Sequence, residues 1–129
     1  MTATRGTTTA GSSAVLDIER VEALVDEIGD RVLVREALRT FVGQAPGRLE
    51  AIREALAGGD DLEIRSAAHA LGSPAAMLGA VGVRGATRAM QEAATEGRTE
   101  HYATLHAEIE TVTAQTVVEV RAYLAAGTA

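Results

Sequence analysis

The chain of 129 residues contains no cysteine, no tryptophan and no lysine, and one Phe and two Tyr are its complete aromatic set. The absence of cysteine excludes a disulfide scaffold, a thiol nucleophile and a thiolate metal ligand. So few aromatic rings provide no platform on which nucleic-acid bases could stack. A net charge of −6 opposes binding to a phosphate backbone, so no nucleic-acid partner is expected.

Long apolar runs are also absent, and no stretch reaches the ~18 apolar residues that a membrane span requires. Residues 1–14 are rich in Thr, Ser, Gly and Ala and lack the apolar segment of a signal peptide. This composition predicts a disordered tail. Residues 15–126 are expected to form one domain, and the lack of an export signal or membrane anchor favours a cytoplasmic location.

Apolar residues at helical spacing are present in five segments, and no segment shows the alternation of a strand. The predicted stripes are Ile18, Val21, Leu24, Val25 and Ile28 in the first helix; Val34, Leu38, Phe41, Ala45, Leu49, Ile52 and Leu56 in the second; Ile64, Ala68, Leu71, Ala75 and Leu78 in the third; Val83, Ala86, Met90, Ala93 and Ala94 in the fourth; and Tyr102, Leu105, Ile109, Val112, Thr116, Val120 and Leu124 in the fifth. The pattern predicts an all-α protein, an antiparallel up-down four-helix bundle with an additional short N-terminal helix.

Capping and breaking residues set the expected helix ends. Four side chains are suited to N-caps, and glycines are expected to end the first, second and fourth helices. The predicted N-caps are Asp17, Asp30, Asp60 and Thr99, and the predicted stops are Gly29, Gly58-Gly59 and Gly97. Pro46 is expected to kink the second helix. At Pro74 the in-phase stripe favours one kinked helix, and the alternative is a new helix that starts at Ser73-Pro74 after a stop at Gly72.

Three histidines are candidates for chemistry, because histidine is the side chain type that ordinarily titrates near neutral pH. His101 and His106 lie about 140° apart on one helix, so they cannot share a metal ion and are interpreted as solvated. His69 points about 140° away from the stripe of its own helix, towards solvent. Around it the small residues Gly72, Ser73 and Ala76 leave a bare patch. Such a patch suits a macromolecule that brings a reactive group to the ring; the alternative is an ordinary surface histidine.

The run from His69 to Ala80, HALGSPAAMLGA, resembles the phosphoacceptor motif of histidine phosphotransfer (HPt) domains. The family pattern is His-x-Leu-Lys-Gly-Ser/Ala followed by a Leu/Ile-Gly pair, and it matches here at His69, Leu71, Leu78, Gly79 and Ala80. The resemblance extends over roughly residues 15–125. It includes the Leu16-Asp17 opening, the Phe41 helix with Ala45-Pro46, the Gly59-Asp60 helix start and the Gln91-Glu92-Ala93 helix.

The resemblance implies roles for individual residues. His69 would be the phosphoacceptor, and Gln91 would orient its imidazole. Gly72, Ser73 and Ala76 would form the surface on which a partner docks. The chain departs from the family where Gly72 replaces a lysine and Ser73 replaces a glycine. Arg65, one turn before His69, is expected to supply the missing charge, and the alternative is that Arg65 is merely solvated.

The expected function is a phosphoryl carrier between a sensor or hybrid histidine kinase and the receiver domain of a response regulator. The departures at Gly72 and Ser73, with Pro74, leave a second hypothesis open, a degenerate module that binds a receiver without efficient transfer. A purely structural bundle is the third. No ATP-binding motif is present, so an enzyme that phosphorylates itself from ATP is not expected. The carrier needs no cofactor and no metal of its own, and we expect a monomer.

Overall fold

The computed structural model describes residues 14–126, which form five α-helices and no strand. The helices are α1 (Ile18–Ile28), α2 (Arg31–Gly58), α3 (Asp61–Leu78), α4 (Val81–Glu96) and α5 (Tyr102–Ala126), with a 3₁₀ turn at Thr99–His101 before α5. From α2 onwards each long helix packs against the next one, and α5 closes the ring against α2. The predicted four-helix bundle with a short additional N-terminal helix is therefore confirmed. None of these helices is long and apolar enough to cross a bilayer.

The helix starts follow the predicted caps with one exception. Asp17, Asp30 and Asp60 accept hydrogen bonds from backbone N–H groups in the first turns of α1, α2 and α3. The prediction that Thr99 caps the last helix is wrong, because Thr99 is already the first residue of the 3₁₀ turn that leads into α5. In that turn the N–H of His101 bonds instead to the carbonyl of Arg98 at 3.1 Å.

Left-handed glycines follow the first four helices, namely Gly29, Gly59, Gly79 and Gly97. Gly79, with φ of 81°, matters most for the site because it makes the tight turn between α3 and α4. A Cβ at Gly79 would also lie 3.0 Å from the backbone oxygen of Asp17. Only glycine combines an unstrained positive φ with the absence of a Cβ, so α4 returns directly alongside α3.

Both prolines lie inside continuous helices, Pro46 in α2 and Pro74 in α3. The alternative of a new helix beginning at Ser73-Pro74 is therefore wrong, and α3 runs unbroken past Gly72. The apolar stripe on either side of Pro74 packs against the same core, which holds the helix together although proline removes one backbone hydrogen bond.

The core is built from the predicted stripes of α2 to α5, whose central residues are buried or half-buried. In α1 the middle of the stripe is buried, but Ile18 and Ile28 are 44% and 49% exposed. Both lie at the ends of this short helix, which covers the core only with its middle turns. The stripe of α3 (Ile64, Ala68, Leu71, Ala75 and Leu78) is buried throughout, and this fixes the outward face of the helix that carries His69.

The segment before α1 is held against the bundle. The backbone N–H groups of Val15 and Leu16 donate to Glu119 Oε1 at 3.0 and 2.8 Å, and both side chains are buried. The N–H of Gly82 donates to the carbonyl of Val15 at 3.1 Å. The predicted tail at residues 1–14 lies, except for Ala14, outside the described residues.

Candidate functional site

His69 lies in the middle of α3 with its ring exposed to solvent, as the stripe analysis predicts. The helix is capped by Asp60, whose carboxylate accepts hydrogen bonds from the N–H groups of Leu62 at 2.9 Å and Glu63 at 3.4 Å. From that start the buried stripe on one side of α3 leaves His69 on the other side. Within residues 14–126 the imidazole makes no hydrogen bond to another side chain. The ring is thus available to an incoming group.

A cavity of about 280 Å³ opens beside His69 between α3 and α4. Four residues from each helix line it, and on each helix they follow the spacing of one face: His69, Gly72, Ser73 and Ala76 from α3, and Arg84, Thr87, Arg88 and Gln91 from α4. Two of the lining side chains are arginines and none is acidic. The surroundings of the ring therefore favour an anion.

Gly72 is a point of close approach between the two helices in this cavity. A Cβ built on Gly72 would lie 2.3 Å from Thr87 Oγ1, a separation that real Cβ atoms essentially never show. Thr87 is itself 1% exposed, and its hydroxyl donates to the carbonyl of Val83 at 2.8 Å. A side chain at position 72 would therefore have to displace Thr87.

The prediction that Gly72 lies on the exposed face of α3 is therefore wrong, although Gly72 lines the cavity of His69 and its part in docking stays a prediction. The helical wheel places Gly72 about 80° from the core direction of α3, but α4 covers that flank. Ser73 is exposed and Ala76 is half-buried, and both line the cavity. The small-residue surface beside His69 is thus reduced to these two residues, and their part in docking stays a prediction.

Gln91, the residue predicted to orient the imidazole, is brought by α4 to the same cavity. It is half-buried, and its Nε2 would lie 3.7 Å from a Cβ on Gly72. The Gln91 amide therefore lies within van der Waals distance of position 72. In residues 14–126 no hydrogen bond joins Gln91 to His69, so the orienting role stays a prediction.

Arg65, the predicted charge partner, lies at an adjoining cavity that shares Arg88 and Gln91 with the cavity of His69. Its Nη1 donates to Thr95 Oγ1 at 3.3 Å, and it lines a neighbouring cavity together with Glu92 and Glu96. It does not line the cavity of His69. Its role in charge compensation stays a prediction that variants can test.

Arg84 and Arg88 were missed by the sequence analysis. The signal was present, because Arg84, Thr87, Arg88 and Gln91 recur at i, i+3, i+4 and i+7 and must share one face of a helix. Arginines on the polar side of an amphipathic helix look like solvated residues, however. Only the packing of α4 against α3 shows that this face borders His69.

The other two histidines lie away from the cavity. His101 is exposed, with its Nε2 3.6 Å from Glu100 Oε2. The interpretation of His106 as solvated is wrong: its side chain is 18% exposed, and its Nε2 is buried with no hydrogen-bond partner. His106 lies on the flank of α5 that packs towards the core, 3.6 Å from Glu110. In residues 14–126 no three acidic or histidine side chains cluster in a way that would hold a metal ion.

The clearest electrostatic perturbations lie outside the cavity and join helices. Hydrogen bonds from Arg31, and then from Tyr123, lower the pKa of Glu22 to about 2. Burial, with a 2.6 Å hydrogen bond to Asp61, raises the pKa of Tyr102 to about 12. The first group ties α1 to α2 and α5, and the second ties α3 to α5. These side chains hold the bundle that presents His69 and do not line its cavity.

Comparison with known proteins identifies the family. The family model of the Hpt domain matches residues 36–116, which is more than half of the chain. The chain therefore belongs to the Hpt domain family, whose members are phosphocarriers that interact with kinases and response-regulator receivers in phosphorelays. None of the curated proteins compared with the chain matches it.

A solved structure shows the same fold. The crystal structure of histidine-containing phosphotransfer protein B (HptB) from Pseudomonas aeruginosa PAO1 superposes with a TM-score of 0.77. The two sequences are 24% identical, and the alignment covers 87% of this chain and 96% of HptB. At this identity the likeness establishes the helical bundle, and the roles of individual side chains have to be argued from this chain.

Proposed function

We propose that this chain is a phosphoryl carrier, which accepts a phosphoryl group on His69 from one receiver domain or kinase and passes it to another receiver. The observation that supports this most is the environment of His69. An exposed imidazole, small neighbours on its own helix and two arginines on the facing helix border one open cavity. Family membership supports a place in a phosphorelay.

The chemistry asked of His69 is a reversible substitution at phosphorus. The lone pair of Nε2 attacks the phosphorus of an aspartyl phosphate, the bond from phosphorus to the carboxylate oxygen breaks, and the carboxylate leaves with the electron pair. The ring, which carried one proton on Nδ1, gains a positive charge that opposes the charge of the phosphoryl group. The reverse reaction returns the group to a second aspartate. Divalent metal and acidic ligands are supplied by the receiver, so this chain works without a cofactor.

Neighbouring side chains have supporting roles in this proposal. Gln91 holds the ring through its amide, since both line the same cavity. Ser73 and Ala76 let the rim of a receiver approach the ring, since neither side chain is longer than two heavy atoms. The sequence contains no ATP-binding motif, which supports a carrier rather than a kinase. We place it in the cytoplasm with its partners, as a monomer.

A second function is favoured by one specific observation. Position 72, where relatives with the full motif carry a lysine, is sterically closed by Thr87. If nothing else provides charge at the phosphoryl group, the chain would bind a receiver and transfer poorly. The two functions differ in the amount of phosphohistidine that forms, not in receiver binding.

The experiment is transfer of ³²P from purified receiver domains labelled with acetyl phosphate. We expect label on the wild-type chain, stable to alkali and lost in acid, and no label on His69→Gln. His101→Gln is the matched control, because it removes an exposed histidine elsewhere. Binding of a receiver without label on His69 would support the degenerate module. Label that persists in His69→Gln would overturn the assignment of His69.

A further inference from the structure

A phosphoryl group on His69 brings about two negative charges to a chain whose net charge is already −6. A cation within contact distance stabilises such a product, and arginine does so with a planar fork that matches phosphate oxygens. The arginines of α3 and α4 near His69 are Arg65, Arg84 and Arg88. Their surroundings distinguish them.

Helix α3 places no cation in the cavity of His69. Gly72 lies one turn after His69, and a Cβ there would be 2.3 Å from Thr87 Oγ1 and 3.1 Å from Thr87 Cβ. On the preceding turn, Arg65 is directed to Thr95 on α4 and into the cavity that Glu92 and Glu96 also line. The cations that line the cavity of His69 therefore come from the facing helix.

Helix α4 carries two arginines into the cavity of His69, and they differ in how free they are. Arg88 is 3.9 Å from Glu92, measured from Nε to Oε2, so part of its charge is already compensated. The guanidinium of Arg84 makes no hydrogen bond or ion pair with any residue from 14 to 126. No carboxylate lines the cavity to compete for it.

We propose that Arg84 is the residue that contacts the phosphoryl group on His69, with Arg88 as its second ligand, so that α4 supplies the charge that α3 does not. This rests on the proposed function. Thr87, between the two arginines in sequence, has a linked role, because its contact with Gly72 both closes position 72 and sets the spacing at which α4 faces His69. The same packing of α3 against α4 thus opposes a side chain at position 72 and places two arginines of α4 beside His69.

The experiment measures the equilibrium constant for phosphoryl exchange between the chain and a receiver domain that labels the wild type. This constant relates the phosphorylated and unphosphorylated forms of the chain and of the receiver, all unbound. Docking affinity therefore changes how fast equilibrium is reached but not the value of the constant. Variants Arg84→Gln, Arg88→Gln and Arg65→Gln each remove one charge, and Arg48→Gln is the matched control. Arg48 is an exposed arginine of α2 that lines neither cavity.

We expect Arg84→Gln to lower the equilibrium constant for formation of phospho-His69 by about 2- to 10-fold, between the effect of a surface ion pair and that of a charge-assisted hydrogen bond. Arg88→Gln should lower it less, and Arg84→Lys should restore part of it. In the isolated phosphorylated chain, ³¹P NMR should show a higher pKa of the phosphoryl group in Arg84→Gln than in wild type, because the dianion has lost its cation. Thermal unfolding should be unchanged, since the Arg84 side chain has no partner to lose.

Several results would overturn the proposal. Arg84→Gln could match Arg48→Gln in both the equilibrium constant and the ³¹P titration. Arg65→Gln could have the larger effect, which would return the role to α3. A change confined to the transfer rate would assign Arg84 to the docking surface instead. A wild-type chain that takes no label on His69 would overturn the proposed function itself, and that outcome is visible before any arginine variant is compared.

Discussion

The contact between Gly72 and Thr87 makes a sharp prediction about stability, because two opposing effects act on Gly72→Ala. Alanine in a helix interior is favoured over glycine by about 1 kcal/mol. Here, however, the new Cβ would be 2.3 Å from Thr87 Oγ1. Thr87 fills two of the three staggered positions on its Cβ with heavy atoms, so it can move aside only into a particular rotamer.

Moving Thr87 aside has a cost that can be estimated. Its hydroxyl donates to the carbonyls of Val83 at 2.8 Å and Arg84 at 3.1 Å. A buried polar group that loses its partners costs about 1–3 kcal/mol. Set against the helix propensity of alanine, the expected net effect of Gly72→Ala is a loss of about 0–2 kcal/mol in the free energy of unfolding.

Urea unfolding followed by far-UV circular dichroism measures this effect, with Gly85→Ala as the matched control. Gly85 lies in α4, and a Cβ there meets nothing within 4 Å, so the same substitution should stabilise by about 0.5–1 kcal/mol. In a Thr87→Ala background most of the cost of Gly72→Ala should disappear, because the nearest remaining atom is the Cβ at 3.1 Å. If Gly72→Ala stabilises as much as Gly85→Ala, the helices do not touch there, and a cation on α3 becomes possible again.

Three further predictions concern the core, the docking surface and pH. Leu71→Ala should cost about 2–5 kcal/mol because Leu71 is buried in the core, whereas His69→Gln should stay within about 0.5 kcal/mol of wild type in the same urea titration. Ser73→Arg and Ala76→Arg should each weaken receiver binding, measured by calorimetry, and leave the circular dichroism spectrum unchanged. Normal binding by both variants would show that this surface is not used for docking. The pKa of Glu22 drops from 4.5 to about 2 on folding. The difference in Tm between wild type and Glu22→Gln should therefore be constant above pH 4.5 and shrink as pH falls towards about 2. A difference in Tm that does not depend on pH would contradict this prediction.

The helices and their buried faces could be predicted from the sequence because each depends on local spacing. The stripe of α3, the aspartate caps and the outward direction of His69 all follow from a period of 3.6 residues and from side chains that bond nearby N–H groups. The ends of α1 also follow the predicted cap Asp17 and stop Gly29, but Ile18 and Ile28, which fit the period, extend past the surface that α1 covers.

The flanks of the site could not be predicted in the same way. A wheel gives the direction of Gly72 relative to its own helix, but which flank a second helix covers depends on tertiary packing. The same reason hid Arg84 and Arg88, whose face borders His69 only after the turn at Gly79 folds α4 back along α3. Arg65 is the converse case: it is close to His69 along the helix, yet its guanidinium is held by Thr95.

The most direct test of the central claim is to locate the phosphoryl group by mass spectrometry. The chain is exchanged with a phosphorylated receiver, kept at alkaline pH and fragmented by a method that preserves the P–N bond. The account predicts one added phosphoryl group, on His69, and none on His101 or His106. A phosphoryl group on another residue would contradict this claim. An unmodified chain would also contradict it, provided that the same receiver binds the chain and transfers its phosphoryl group to other carriers.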